Sequence, residues 1–391
     1  MISTFEALSM RRVDPLHPPV EHLRLQRDSP ISCIEVGDGQ RIWAVTKHAD
    51  VRAMLGDVRF SSDRSHPQHP SHGGYRPGAH KGALIAIDPP EHTVTRGRVM
   101  NEFTVKKINA KRPRVEEIVS AAIDALLAGE RPADLVEALS LPVPSLVIGE
   151  LLGVPYDDHE FFQTSSATVT DRFASDEDRL TAMVSLRTYI SSLVDARVHE
   201  RGDDILSRQL DAGADPEEAV GLGFLLLVAG HETTANMISL SIATLLDRPD
   251  LLQQLREDPH RIPGAVEELL RYFTIAEVGG QRLAIEDVEL AGHLIHQGDV
   301  VVALTHTANR DPDVFSDPDR IDFSRGSRNH MAFGFGPHQC LGQNLARLEL
   351  VVVIEQVLAR IPSLALAVPF SELRFKEFGP NYGVYELPVT W

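Results

Sequence analysis

The spacing of apolar residues along the chain predicts a mainly helical protein with a minor β region. Between residues 105 and 255, apolar positions recur at helical spacing, and prolines and glycines interrupt them. The longest predicted helix begins near Pro216, ends near Pro249 and is apolar on nearly every face, as expected for a helix in a core. The breaks between the other helices are predicted at Pro132, Pro142, Pro155, Gly202 and Gly213.

The segments before and after this helical region are predicted to form short strands and loops. Residues 34–53 alternate apolar and polar positions and then change to helical spacing, and residues 279–302 carry short alternating runs. Internal repeats and low-complexity linkers are not evident, so we expect one domain over residues 1–391. We further predict a lid-like loop over 61–81, a coil over 309–328, a helix over 341–361 and strand-like pieces over 382–388.

Composition and charge exclude several functional classes. The chain has 391 residues, is 43% apolar and carries a formal net charge of −18, which disfavours nucleic acid and anionic lipid as partners. Two cysteines do not suggest a disulfide framework, and the N-terminus lacks the pattern of a secretory signal. We therefore expect a soluble, cytoplasmic protein without a membrane segment.

The most specific pattern surrounds the second cysteine, in the segment Phe333-Gly-Phe-Gly-Pro-His-Gln-Cys340-Leu-Gly342. It ends an irregular stretch and opens a predicted helix, where backbone N–H groups favour a thiolate. Gly336 permits a backbone conformation that other residues resist, and Gly342 leaves room for a flat ligand. Phe333 is expected to shield the sulfur from water. An isolated cysteine beside such a turn would usually be an inert, buried residue.

A polar insertion, Ala229-Gly-His-Glu-Thr-Thr234, interrupts the long apolar helix. Burying these groups costs free energy unless they have partners. Ala229 and Gly230 let a ligand lie against the helix, and a threonine hydroxyl can bond back to a carbonyl and open a local groove. Two other interpretations exist. Thr and Glu could satisfy each other at a kink, whereas a zinc protease would need a second histidine at position 235, which is alanine.

Together, the cysteine segment and the helix insertion resemble the haem-binding loop and the oxygen-binding motif of the cytochrome P-450 family. The resemblance implies the fold of that family, with the long central helix over the haem. It implies heme b (iron protoporphyrin IX) with an axial thiolate from Cys340, the metal ligand. Thr233 and Glu232 would then deliver protons. Ala229, Gly230, Phe333 and Gly342 would belong to the cofactor site.

Further positions match the family. Glu268 and Arg271 lie on one helix face, and the resemblance implies that an arginine of the later coil joins them, for which Arg320 is the candidate. Haem carries two propionates, which require cationic or hydrogen-bonding residues. By resemblance these residues are His92, Arg96, Arg282 and His338.

The resemblance implies a monooxygenase that inserts one oxygen atom from O2 into a hydrophobic small molecule, by hydroxylation or epoxidation. The expected substrate is a bacterial secondary metabolite such as a macrolide or polyketide. The chain resembles no flavin, nicotinamide or iron–sulfur domain, so ferredoxin and ferredoxin reductase are the expected electron donors. A cluster of cations around the cysteine is the predicted ferredoxin surface: Arg325, Arg328, His330, His338 and Arg347.

Three alternative functions are also compatible with a haem-binding cysteine. A peroxide-driven peroxygenase and a nitric oxide reductase also bind haem through a thiolate, but both dispense with an acid and alcohol relay. A haem sensor would bind the cofactor without turnover and has no use for a proton relay. Glu232 and Thr233 therefore favour the activation of O2.

Overall fold

The computed structural model describes residues 8–36, 40–69, 81–155, 158–170, 174–277, 280–326, 328–377 and 381–391. Contacts between residues divide the chain into two units. The first, called the sheet unit, consists of Met1–Val94, Glu267–Cys340 and Glu377–Tyr382. The second, called the helical unit, consists of Thr95–Val266, Leu341–Lys376 and Gly383–Trp391. One domain over the whole chain stays a prediction.

Helices dominate the described residues, as the apolar spacing predicts. In chain order they are α1 (Val20–Asp28), α2 (His48–Gly56), α3 (Glu91–Met100), α4 (Val105–Ala110), α5 (Arg112–Ala128), α6 (Pro142–Leu152), α7 (His159–Thr170), α8 (Asp176–His199), α9 (Ile205–Asp211), α10 (Pro216–Asp247), α11 (Pro249–Glu257), α12 (Ile262–Phe273), α13 (Thr305–Ala308) and α14 (Gln343–Arg360). A π-helix precedes α6 at Val136–Ser140, and 3-10 turns lie at Leu84–Ala86, Asn101–Phe103, Pro259–Arg261, Gly336–His338 and Phe370–Glu372.

The strands are short and form small sheets. They are β1 (Ile31–Val36), β2 (Gln40–Val45), β3 (Phe60–Ser61), β4 (Ala133–Asp134), β5 (Gln281–Ala284), β6 (Val288–Leu290), β7 (His293–Ile295), β8 (Val300–Ala303), β9 (Ala365–Leu366) and β10 (Pro388–Thr390). In the sheet unit, five strands follow the order β1-β2-β8-β5-β3, and β6 pairs with β7. In the helical unit, β10 lies between β4 and β9.

The central strands of the five-stranded sheet are buried on both faces. Strands β2 and β8 pair in parallel, with Ile42 opposite Val300, whereas the other pairs of this sheet are antiparallel. One face packs with Trp43, Val301 and α2, and the opposite face packs with Ile42 and the segment at Leu8 and Met10. Burial on both faces suits the continuous apolar run of β8.

Helix α10 confirms the long helix of the sequence analysis. It spans 32 residues, and its first turn carries a capping box in which Asp215 and Glu218 bond each other's backbone N–H groups. Pro216 occupies the first turn, where a missing N–H costs nothing. Local sequence thus fixes the start of the helix, and its buried faces pack within the helical unit.

Most other element predictions are also confirmed. Residues 34–53 form β1, β2 and α2, residues 279–302 carry β5 to β8, and α14 occupies most of 341–361. The predicted break between helices at Pro142 is confirmed, because the π-helix ends at Ser140 and α6 begins at Pro142, in whose first turn a proline is tolerated. Of the predicted lid, residues 70–80 lie outside the described residues. In the described part of the chain, no helix has the length and apolar character needed to cross a bilayer.

A buried ion cluster joins α12 to the coil that follows α13. Arg271 donates two hydrogen bonds of 2.8 Å to the carboxylate of Glu268. The third member is Arg325, whose Nε lies 3.2 Å from both carboxylate oxygens. The expectation that Arg320 fills this place is wrong. Its side chain is exposed, and it contributes only its backbone carbonyl, which accepts a hydrogen bond from Arg271.

We predict that Arg325→Met destabilises the protein by about 1–2 kcal/mol, because it removes a partner of a buried carboxylate. Arg320→Met is the matched control, since it removes the same charge from an exposed position, and its expected effect is below about 0.5 kcal/mol. Denaturant unfolding of both variants measures the difference. Equal destabilisation by the two substitutions would contradict the assignment of Arg325.

Candidate active site

The cysteine segment is held against α2 within the sheet unit. Gly336 has a φ of 75°, and a Cβ added there would lie 2.5 Å from the carbonyl oxygen of Leu55. The Arg52 guanidinium lies 4.1 Å from the ring centre of Phe335. Cys340 N–H donates a 2.8 Å hydrogen bond to Phe333 O, which closes the turn. Glycine at 336 is therefore required both by backbone angle and by space.

Cys340 lies just before α14, as the sequence analysis predicts. Gly342 is the N-cap of this helix, so the thiol precedes the helix N-terminus by a few residues. The Cys340 side chain is exposed, and neither cysteine of the chain forms a disulfide. A Cβ added at Gly342 would meet no heavy atom within 4 Å. The thiol is thus reachable, and the glycine leaves open space next to the helix start.

Three of the predicted propionate partners lie in the sheet unit. The rings of His92 and His338 have centroids 4.2 Å apart. Arg282 is buried, and burial lowers the pKa of its guanidinium to about 10; the charge of Arg64 acts in the same direction and that of Asp88 opposes it. Arg96 belongs to the helical unit. Guanidinium and imidazole groups are donors that suit carboxylates.

The polar insertion of α10 forms a partly open stretch just before the most deeply buried part of the helix. Ala229 is exposed, Gly230 and Thr233 are half-buried, and the helix from Thr234 to Leu245 is buried. Thr233 Oγ1 donates a 2.7 Å hydrogen bond to Ala229 O, which confirms the predicted bond to the helix backbone. Small side chains and a bonded hydroxyl therefore occupy the same turn.

Glu232 and His231 have partners from other elements of the helical unit. Glu232 Oε1 lies 3.4 Å from Lys376 Nζ, and His231 Nδ1 lies 3.1 Å from Ser166 Oγ. Burial, and then the charge of Lys376, lower the pKa of His231 to about 4. Thr233 and Glu232 do not bond each other, so the interpretation of a self-satisfied pair at a kink is wrong. The sequence offers no local signal for Lys376, which is 144 positions from Glu232.

The chain matches known proteins over nearly its whole length. Residues 185–361 match the family model described as Cytochrome P450. The chain is 45% identical to vitamin D3 dihydroxylase of Streptomyces griseolus, over 98% of this chain and 97% of the relative. The chain belongs to the cytochrome P450 family. It is also 40% identical to 20-oxo-5-O-mycaminosyltylactone 23-monooxygenase of Streptomyces fradiae, over 98% and 92% of the two chains.

Solved structures of the family confirm the predicted P450 fold. Cytochrome P450 MoxA from Nonomuraea recticatena superposes with a TM-score of 0.91 at 48% identity, and 97% of each chain is covered. The mycinamicin VIII C21 methyl hydroxylase MycCI from Micromonospora griseorubida, bound to mycinamicin VIII, gives 0.90 at 37% identity, over 97% and 98% of the chains. The protein is therefore an enzyme of the P450 monooxygenase class.

Membership of the P450 family implies a haem with a cysteine thiolate ligand, and the use of O2 with redox partners. The residues present fit such a group. Cys340 supplies an exposed thiol, Gly342 has open space where a side chain would stand, and the buried Arg282 suits a propionate carboxylate. The chemistry of the cofactor and the donors of this chain therefore agree.

The predicted cation cluster for a ferredoxin separates into two kinds of residue. Arg325 belongs to the buried cluster with Glu268, and the buried His330 bonds Glu267 at 2.9 Å. These two residues are structural, so their assignment to a docking surface is wrong. Arg328, in contrast, has 76% of its side chain exposed. Sequence proximity could not separate them, because burial depends on residues of α12.

His231 gives a prediction for stability against pH. Its usual pKa of 6.5 falls to about 4 in the folded protein, so the unfolded state binds a proton first as the pH falls. Its contribution to stability is present above pH 6.5 and is lost progressively as the pH falls to about 4. The two pKa values correspond to a loss of about 3 kcal/mol.

His231→Asn keeps a polar group toward Ser166 but cannot take up this proton. We predict that the variant loses less stability than the wild type between pH 6.5 and pH 4, as measured by denaturant unfolding at each pH. His260→Asn, at an exposed histidine, is the control and keeps the wild-type dependence. Identical pH dependence in the wild type and His231→Asn would contradict a neutral, buried His231.

Proposed function

We propose that this P450 is a monooxygenase in which Cys340 is the axial thiolate ligand of heme b. The observation that carries the proposal is the cysteine loop. Gly336 fits only as glycine against Leu55, the turn closes at Cys340, and the thiol is exposed just before α14. Backbone N–H groups at the start of a helix favour the thiolate form. When bound, a haem with such a ligand activates O2, because the thiolate favours O–O cleavage.

The cofactor would be held by donors on several elements. The residues proposed to hold the propionates by charge-assisted hydrogen bonds are His92, Arg96, Arg282 and His338. Phe333 would shield the sulfur. Ala229 and Gly342 would leave room for the flat group. The structure does not support the same role for Gly230, because a methyl group there would lie 3.2 Å from Ile148, so this glycine is closely packed against α6.

Thr233 and Glu232 would deliver the protons that O2 activation consumes. The Thr233 hydroxyl donates to Ala229 O, and its oxygen can still accept a hydrogen bond. Glu232 Oε2 is buried and has no hydrogen-bond partner among the described residues. The Thr233 hydroxyl can therefore orient a hydrogen-bonded partner, and the Glu232 carboxylate can take up and release a proton. A peroxide-driven enzyme or a sensor would not require this pair.

We propose a large hydrophobic substrate, with a macrolide or another polyketide as the first choice and hydroxylation as the reaction. Two relatives are named for mycaminosyltylactone and mycinamicin VIII, and a third is named for vitamin D3. These molecules share size and apolar character rather than one scaffold. An apolar site with few fixed polar groups accommodates such molecules.

Ferredoxin and ferredoxin reductase are the proposed electron donors. The protein is acidic overall, with a net charge of −18, so an acidic partner needs a local positive surface. Arg328 is the exposed cation of the earlier cluster that is nearest in sequence to the loop, and Arg347 follows on α14. Electrostatic docking of this kind weakens as the salt concentration rises.

Turnover of Thr233→Ala tests the proton relay. The probe is whichever of mycinamicin VIII, 20-oxo-5-O-mycaminosyltylactone and vitamin D3 gives the largest high-spin shift of the ferric protein. With ferredoxin and reductase, we predict that the variant forms about tenfold less product per NADPH and releases more hydrogen peroxide. The cause is loss of the hydroxyl that orients the proton donor. Thr233→Ser keeps the hydroxyl and should retain most of the coupling.

The control is Ser192→Ala on α8, which also removes a hydroxyl bonded to the carbonyl four residues earlier. This variant should couple like the wild type. Full coupling in Thr233→Ala, or an equal loss in Ser192→Ala, would refute the assigned role of Thr233.

A further inference from the structure

A lysine from the C-terminal part of the chain holds the carboxylate of Glu232. Lys376 Nζ lies 3.4 Å from Glu232 Oε1, and the two side chains are only 19% and 8% exposed. A largely buried carboxylate needs a counter-ion or a proton, since an isolated charge is costly away from water. Lys376 is the counter-ion that the structure provides.

The segment that carries Lys376 is fixed on the same face of α10. Phe375 pairs with Val384 in an antiparallel bridge, and Lys376 N–H donates a 2.8 Å hydrogen bond to Gly383 O. A Cβ added at Gly383 would overlap the side-chain amide of Asn236. Asn236 follows Glu232 by four residues and therefore shares its helix face. The two bridged segments, residues 375–376 and 383–384, are called the C-terminal hairpin. They contact α10 at two successive turns, with the lysine at one of them.

The ion pair uses only one of the two carboxylate oxygens. Oε1 faces Lys376, whereas Oε2 is buried and has no hydrogen-bond partner among the described residues. The neighbouring titratable groups that the structure describes do not bond Oε2. His231 bonds Ser166 of α7, and the Tyr385 ring centre lies 6.0 Å from Lys376 Nζ. The arrangement fixes one oxygen and leaves the other for proton transfer.

We propose that Lys376 is a positioning residue for Glu232. It holds the carboxylate through Oε1 so that Oε2 is presented to the proton relay. This inference rests on the proposed role of Glu232 in O2 activation. Lys376 belongs to the C-terminal hairpin and not to α10. Through Glu232, this residue would influence how much product forms per NADPH.

Three variants distinguish an effect of the Lys376 charge from a purely structural role of this residue. Lys376→Met removes the ammonium at similar size, and Lys376→Arg keeps a cation. Arg374→Met is the matched control, because it removes a cation two positions earlier in the chain, where Arg374 pairs with Glu386 at the exposed surface. Lys376→Gln replaces the methionine variant if the latter does not yield folded haem protein.

The first measurement is product formed per NADPH with the probe chosen above. Lys376→Met should lower this ratio several-fold, with more hydrogen peroxide and an altered solvent deuterium isotope effect. Lys376→Arg should restore most of the ratio, and Arg374→Met should not change it. A purely structural lysine would alter stability without changing the isotope effect.

The second measurement is independent of activity. A double-mutant cycle of Lys376→Met and Glu232→Gln on the purified holoprotein compares unfolding equilibrium constants. The two substitutions should be coupled by about tenfold, whereas Arg374→Met and Glu232→Gln should be additive.

The outcomes distinguish this inference from the function on which it rests. If Thr233→Ala and Glu232→Gln keep full coupling, the proposed relay itself is wrong. If both lose coupling while Lys376→Met behaves like Arg374→Met in turnover, the relay stands and Lys376 has no positioning role. Additivity of the Lys376 and Glu232 substitutions in unfolding would also overturn the inference.

Discussion

The closeness of the cysteine loop to α2 is the constraint on which the proposed site depends. The backbone at Gly336 lies so near the carbonyl of Leu55 that no side chain fits, and its φ of 75° is one that other residues rarely adopt. This approach sets the course of the turn, which ends in the hydrogen bond from Cys340 N–H to Phe333 O. The five-stranded sheet and α2 therefore act as the rigid support of the thiol. A site with a fixed ligand needs such a support, because small displacements are costly.

The proposed site also requires polar side chains within a largely buried helix. Helix α10 meets this requirement by giving each group a different partner. Thr233 bonds the helix backbone, His231 bonds Ser166, and Glu232 pairs with Lys376. Each partner lowers the cost of burial, and the partners belong to three different parts of the chain. The same arrangement that satisfies these groups leaves one Glu232 oxygen and the threonine oxygen available for chemistry.

Much of the fold and the residue types of the candidate site could be predicted from local sequence patterns. The start of α10 follows from Asp215 and Pro216, its length follows from the apolar run, and the course of the cysteine loop follows from its glycines. Contacts between distant segments could not be predicted in this way. Whether Arg325 or Arg320 joins Glu268 depends on which side chain of the coil points inward. The contact between Lys376 and Glu232 joins two segments far apart in sequence, and no local pattern predicts it.

The central claim is that Cys340 is the thiolate ligand of a bound haem. The most direct measurement is the reduced carbon monoxide difference spectrum of the purified protein and of two cysteine variants. The wild type and Cys33→Ser should show the red-shifted Soret band of a thiolate-bound haem, because Cys33 belongs to β1 and not to the cysteine loop. Cys340→Ser should lose that band. A red-shifted band that survives in Cys340→Ser, or that disappears in Cys33→Ser, would contradict the account.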